Sequence, residues 1–176
     1  MGWEWRIFVP LDGVEEQKFP FSDAIEMIYD DTYYKGNEKF GIKQRSGKRE
    51  FEVKELMEYT KRAAEYYKKH FVANKSEVLS LTKDFDSNIS ITIHKERQKQ
   101  VQIIENRIFE YEVAYLNCNN NAWKSICWEG EPKMIYDSVQ KYFNLKDGWN
   151  LSDIQLPSES IIGGYPRLVA HILSTL

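Results

Sequence analysis

The sequence predicts an α+β domain in which a strongly curved antiparallel β-sheet carries helices packed outside it. Three observations lead there. Seven or more short runs alternate apolar and polar residues with a period of two, the signature of strands with two different faces. Only three windows have helical spacing, too few to cover both faces of a wide open sheet. The chain is also rich in strand-favouring aromatics, with 11 Tyr, 9 Phe and 5 Trp among 176 residues.

Taken in order, WEWRIFV at 3–9 places Trp3, Trp5, Ile7 and Val9 on one face and Glu4, Arg6 and Phe8 on the other, with Pro10 as the expected stop. Residues 19–29 fit a short helix capped by Ser22. DTYYK at 31–35 is extended, and Gly36-Asn37 mark a turn. FGIKQR at 40–45 and REFEVKEL at 49–56 form a hairpin across Ser46-Gly47-Lys48, where Gly47 can take the positive φ of a tight turn. Residues 56–71 have Leu56, Tyr59, Ala63, Tyr66, Tyr67 and Phe71 at helical spacing. The segment 77–83 suits either a strand or one turn of helix.

From Ser87 to Arg97 the alternation is clean, and 98–104 continue into a paired strand. Ile89, Ile91 and Ile93 are expected on the outer, helix-covered face. RIFEYEVAYL at 107–116 and AWKSICWEG at 122–130 are strands separated by an asparagine turn. Pro132 to Phe143 reads as a helix with proline in its first turn. Leu168, Val169, Ile172 and Leu173 give the tail from Tyr165 a helical stripe.

The length suits a single domain, 1–176, with ample apolar content for a core. Two cysteines, Cys118 and Cys127, form no CxxC unit, so neither a disulfide scaffold nor a thiolate zinc site is expected. No run is apolar enough for membrane insertion and no signal peptide is evident, so a cytoplasmic protein is expected. The formal net charge of −3 gives no strong nucleic-acid signal. Its distribution is uneven: residues 41–100 hold 14 Lys or Arg against 9 Asp or Glu, and the remaining 116 hold 10 against 18. A basic middle within an acidic chain points to a local anion site.

The polar strand faces carry charges at i and i+2: Glu4 with Arg6, Lys43 with Arg45, Glu52 with Lys54, Lys95 with Arg97, Glu110 with Glu112, and Cys127 with Glu129. Periodicity alone leaves two arrangements open, a sheet with its polar side in water and a closed sheet with a wet, charged interior. No Ser-His-Asp, zinc, Rossmann or Walker spacing is present.

These segments resemble the CYTH domain family of triphosphate tunnel metalloenzymes across nearly the whole chain. WEWRIFV is similar to its opening strand, FGIKQRSG with FEVK to its basic hairpin, and ITIHKER to its strand bearing Lys-x-Arg. FEYEVAYL and SICWEG are similar to its acidic strands, and GGYPRLVAHIL to its terminal segment. The resemblance implies a sheet closing into an eight-stranded tunnel-like barrel. It further implies hydrolysis of a triphosphate or related phosphorylated small molecule with Mg²⁺ or Mn²⁺; the alternative is a noncatalytic module for a phosphorylated or polyanionic ligand. It assigns phosphate contacts to Arg6, Lys43, Arg45, Lys54, Lys95 and Arg97, and metal contacts to Glu4, Glu110, Glu112 and Glu129. The chain departs from the family in two segments: in the first strand Gly2 stands where its first carboxylate would, Arg6 replaces its lysine and Phe8 extends the inward side, and near the end Gly164-Tyr165-Pro166-Arg167 replace Ser-Tyr-x-Glu. The substrate, any protein partner and the catalytic residue stay open.

Overall fold

The computed structural model describes residues 2–11 and 25–175, without the side chain of Ile25. Strands β1 (Trp3–Leu11), β2 (Ile25–Lys35), β3 (Phe40–Arg45), β4 (Phe51–Tyr59) and β5 (Glu65–Val72) precede helix α1 (Lys75–Thr82). Strands β6 (Asp86–Ile104), β7 (Arg107–Cys118) and β8 (Asn121–Gly130) follow, then α2 (Pro132–Tyr142), β9 (Ile161–Ile162) and α3 (Tyr165–Ser174).

All the pairings between strands are antiparallel, in the order β5-β4-β3-β2-β6-β7-β8-β1-β9. The first and eighth of these also pair, Trp3 with Tyr66 and Glu4 with Glu65, which closes β1–β8 into a ring and removes its edges. Further along β1, Ile7 and Phe8 pair instead with β9. The β3–β4 hairpin forms as the sequence predicts, with Gly47 at φ +81°.

The ring has an apolar outer face. On one side Trp5, Ile126 and Trp128 pack under Ile135 and Val139 of α2. On the other, Ile42, Phe51 and Val53 pack under Val78 of α1, whose first turn is capped by the Asn74 side chain accepting from the Glu77 amide at 2.9 Å.

The inward face changes character along the barrel. On β1 it runs Glu4, Arg6, Phe8; on β7, Glu110, Glu112, Ala114, Leu116; on β6, Arg97, Lys95, Ile93, Ile91; on β8, Glu129, Cys127, Ser125, Trp123. Register aligns these series, so charge gathers towards one end and apolar side chains gather at the other. There Leu168, Val169 and Ile172 of α3 join Phe8, Ile91, Ile93, Leu116 and Trp123 in a buried cluster that plugs the ring.

Four sequence expectations change. Residues 56–71 are not a helix: Thr60 and Ala64 close a turn with Ala63 at φ +67°, and 65–72 pair with β4. Cross-strand bonding outweighed a helical spacing that the same Tyr66-Tyr67 pair also satisfies in an alternating strand. Residues 25–29 belong to β2 rather than to a helix; 19–24 lie outside the described residues. Ile91 and Ile93 are buried on the inward face, because they share the parity of Lys95 and Arg97. β1 runs on through Pro10, which pairs with Trp123.

Candidate functional site

Inside the charged half of the ring lies a cavity of about 150 Å³. Eight cations line it: Arg6, Lys43, Arg45, Lys54, Lys69, Lys95, Arg97 and Lys99. All six side chains that the resemblance assigns to phosphate contact therefore converge on one chamber. They come from β1, β3, β4 and β6, brought together by ring closure. Period-two alternation carries each side chain inward.

The cations are held apart by acids rather than left bare. Asp31 of β2, fully buried, accepts from Arg45 at 2.9 and 3.2 Å and pairs with Lys95 at 2.9 Å and Lys43 at 3.7 Å. Burial opposes its ionisation, but the Arg45 hydrogen bond and the two lysines hold its carboxyl well below the usual range. Glu112 of β7 bridges Arg6 at 2.9 Å and Arg97 at 3.0 Å. Its burial is likewise overcome by those two charges, and it is held down at about 2. Glu52 pairs with Lys43 at 3.3 Å and Glu110 with Lys99 at 2.8 Å.

Lys95 sits deepest, 1% exposed, donating to the Tyr33 hydroxyl at 2.5 Å and lying 3.6 Å from the centre of the Tyr165 ring. Burial and the Lys43 charge push its ammonium pKa down, with Asp31 opposing. Tyr165, the first residue of α3, forms the chamber floor: it stacks on Tyr33 at 5.5 Å and also carries the Arg6 guanidinium at 4.7 Å. The preceding Gly164 is needed for this approach, because a Cβ there would stand 2.7 Å from the Tyr67 hydroxyl. Its amide donates to Glu65 at 2.7 Å, tying α3 to β5. Tyr29 lies beneath Arg45 and is also bonded to Arg97.

Three donors on chamber-lining residues have no hydrogen-bond partner among the described residues: Nε of Arg6, Nε of Arg97 and the hydroxyl of Tyr165. Leaving such a group buried and unsatisfied costs about 1–3 kcal/mol.

Of the four acids assigned to a metal, Glu110 and Glu112 are engaged by Lys99 and by the two arginines and lie outside the one group of close ligand atoms among the described residues. Glu4 and Glu129 face each other across β1 and β8, and with Cys127 their ligand atoms lie within 4.8 Å of one another. Glu4 pairs with Lys54 at 3.4 Å, and although buried it is held low by the Lys54 and Arg6 charges. Burial and the neighbouring Glu4 push Glu129 up. The Cys127 thiol is pushed up by burial, against Arg6, and stays protonated.

Asp31, Tyr29, Tyr33, Glu65, Lys69, Lys99 and Tyr165 were not assigned to the site from the sequence. Asp31 carried a signal, as the acid that shares the parity of Tyr29 and Tyr33 on a strand paired to a basic one.

No family model matches the sequence, and no curated protein matches it. A similar solved structure is that of a candidate adenylate cyclase from Bacillus halodurans, with 12% identity and a TM-score of 0.40, covering 76% of this chain and 79% of that one. The ring stands on the strand pairings of this chain. Among the described residues, no helix is long and apolar enough to cross a membrane.

Proposed function

We propose that the chamber binds a phosphorylated, polyanionic small molecule and that the protein hydrolyses a triphosphate or related phosphoanhydride with a divalent ion. The observation that carries the binding half is the convergence of eight cations on one cavity. Phosphate oxygens accept from guanidinium and ammonium groups, and arginine offers a planar fork matched to them. The resemblance to the CYTH family agrees.

For the metal half, Mg²⁺ is commonly held by one or two carboxylates together with substrate phosphates. Glu4 and Glu129 meet that requirement, with Cys127 beside them. A divalent ion there supplies charge stabilisation at the reacting phosphoryl group. Lys95, Arg97 and Arg6 hold the anion in place, and the plugged end of the barrel excludes bulk water from the far side.

A noncatalytic binding module is the second reading. It is favoured by Glu4, Glu110 and Glu112 being paired with cations, so that a metal would have to compete with Lys54, Lys99, Arg6 and Arg97 for them. Phosphate release from inorganic triphosphate and nucleoside triphosphates, measured with Mg²⁺, Mn²⁺ and chelator, separates the two. Metal-dependent release that Glu129→Gln abolishes, while metal-free binding persists, is expected. Binding without release under any condition leaves the module; absence of binding removes both.

A further inference from the structure

A second cavity, about 510 Å³, lies beside α3. One flank of the helix forms a wall of it: Pro166, Val169, Ala170 and Leu173 recur at the i, i+3, i+4, i+7 spacing that puts side chains on one face. Tyr34, Phe40 and Ile89 supply apolar side chains from β2, β3 and β6.

A packed wall separates this cavity from the charged chamber. Gly41 lies so close to Pro166 that a Cβ there would meet Pro166 Cγ at 2.6 Å, and Tyr33 stacks on Tyr165 with ring centres 5.5 Å apart. None of the eight chamber cations lines the second cavity. The two spaces therefore take separate ligands.

The uncharged polar side chains around the second cavity already have partners. The Tyr33 hydroxyl accepts from Lys95 at 2.5 Å, and the Tyr34 hydroxyl donates to Gln44 at 2.9 Å. The Asn37 side chain accepts from the Lys39 and Phe40 amides at 3.0 and 3.2 Å, and the Ser174 hydroxyl donates to the His171 carbonyl at 2.7 Å. The two charged lining residues, Lys35 and Glu38, are exposed and opposite in sign, so together they favour neither an anion nor a cation. Apolar contact is what remains on offer, in a volume within the range of about 300–1,000 Å³ that small-molecule sites span.

We propose that this cavity binds an uncharged aliphatic molecule, an alcohol or hydrocarbon chain, independently of any anion in the chamber. Removal of apolar surface from water drives the association. Charge selects the neutral form: a carboxylate drawn to Lys35 is repelled by Glu38 and loses hydration. The site stands whether or not the chamber holds a phosphate.

Fluorescence titration with N-phenyl-1-naphthylamine, an uncharged dye that brightens in apolar surroundings, tests it. One dye per chain is expected to bind, and 1-octanol should displace it at least ~tenfold more readily than octanoate. Saturating inorganic triphosphate should leave the dye in place. Ala170→Trp, at an exposed position of α3, and Ile89→Trp, on β6, put an indole into the cavity. Each, checked for folding by circular dichroism, is expected to weaken dye binding at least ~tenfold. Absence of dye binding by the folded parent, an affinity that both variants leave unchanged, displacement by triphosphate, or octanoate matching octanol would each overturn the proposal.

Discussion

Asp31→Asn isolates the element that holds the chamber together. The carboxylate is fully buried and faces Arg45 at 2.9 Å, Lys95 at 2.9 Å and Lys43 at 3.7 Å. At an effective dielectric of about 20, each such pair carries roughly 5 kcal/mol of gross attraction, most of it offset by the desolvation of the charges. Removing the acid alone leaves the cations desolvated and mutually repelling, which costs about 3–5 kcal/mol. Urea unfolding followed by tryptophan fluorescence reads this directly. The same three cations are the proposed phosphate ligands, so inorganic triphosphate should stabilise Asp31→Asn more than the parent, by at least ~1.4 kcal/mol, a tenfold gain in affinity. A variant as stable as the parent would refute the electrostatic account of the chamber. A loss of stability that triphosphate does not reverse would show that these cations do not meet the anion.

Glu112 and Glu129 should respond to pH with opposite signs. The Glu112 carboxyl is lowered from 4.5 to about 2, so its contribution, on the order of 3 kcal/mol, is full above pH ~4.5 and lost as pH falls towards 2. Glu112→Gln should flatten that acid limb in urea titrations between pH 2 and 6. Glu129 is raised, so its contribution is lost as pH rises through and beyond its unfolded value, and Glu129→Gln should be at least as stable as the parent at pH 7. Lys95→Ala and Arg97→Ala should each weaken triphosphate binding tenfold or more by calorimetry, with a larger loss for triphosphate than for monophosphate. Equal losses for the two ligands would count against direct contact. Gly164→Ala should lower the unfolding midpoint, since its Cβ meets the Tyr67 hydroxyl at 2.7 Å, and an unchanged midpoint would show that α3 can shift.

Side-chain parity was legible in the sequence because a strand's two faces differ by one residue. Parity placed Arg6, Lys43, Arg45, Lys54, Lys95 and Arg97 on polar strand faces, leaving open whether those faces met water, and ring closure turns them inward. Applied consistently along β6, it also places Ile91 and Ile93 inward with Lys95, and so marks the apolar plug. Register was not legible. The Trp3–Tyr66 pairing that closes the ring joins segments 63 residues apart, and local spacing in 56–71 favoured a helix over the strand that makes it. Partner choice was hidden for the same reason. Nothing local says that Glu112 meets Arg6 and Arg97 while Glu4 meets Glu129, because cross-strand neighbours decide it. Asp31 shows the same dependence: its role exists only once β3 and β6 flank β2.

The central claim is that the eight cations form one site for a polyphosphate, and metal-free calorimetry with inorganic triphosphate tests it most directly. One triphosphate per chain is expected to bind in the presence of chelator, and the affinity should fall as salt is raised to about 1 M, where the screening length shrinks to about 3 Å. The double variant Lys95→Ala/Arg45→Ala, checked for folding, should abolish the signal. No binding by the folded parent protein, or binding that the double variant retains in full, would contradict the account.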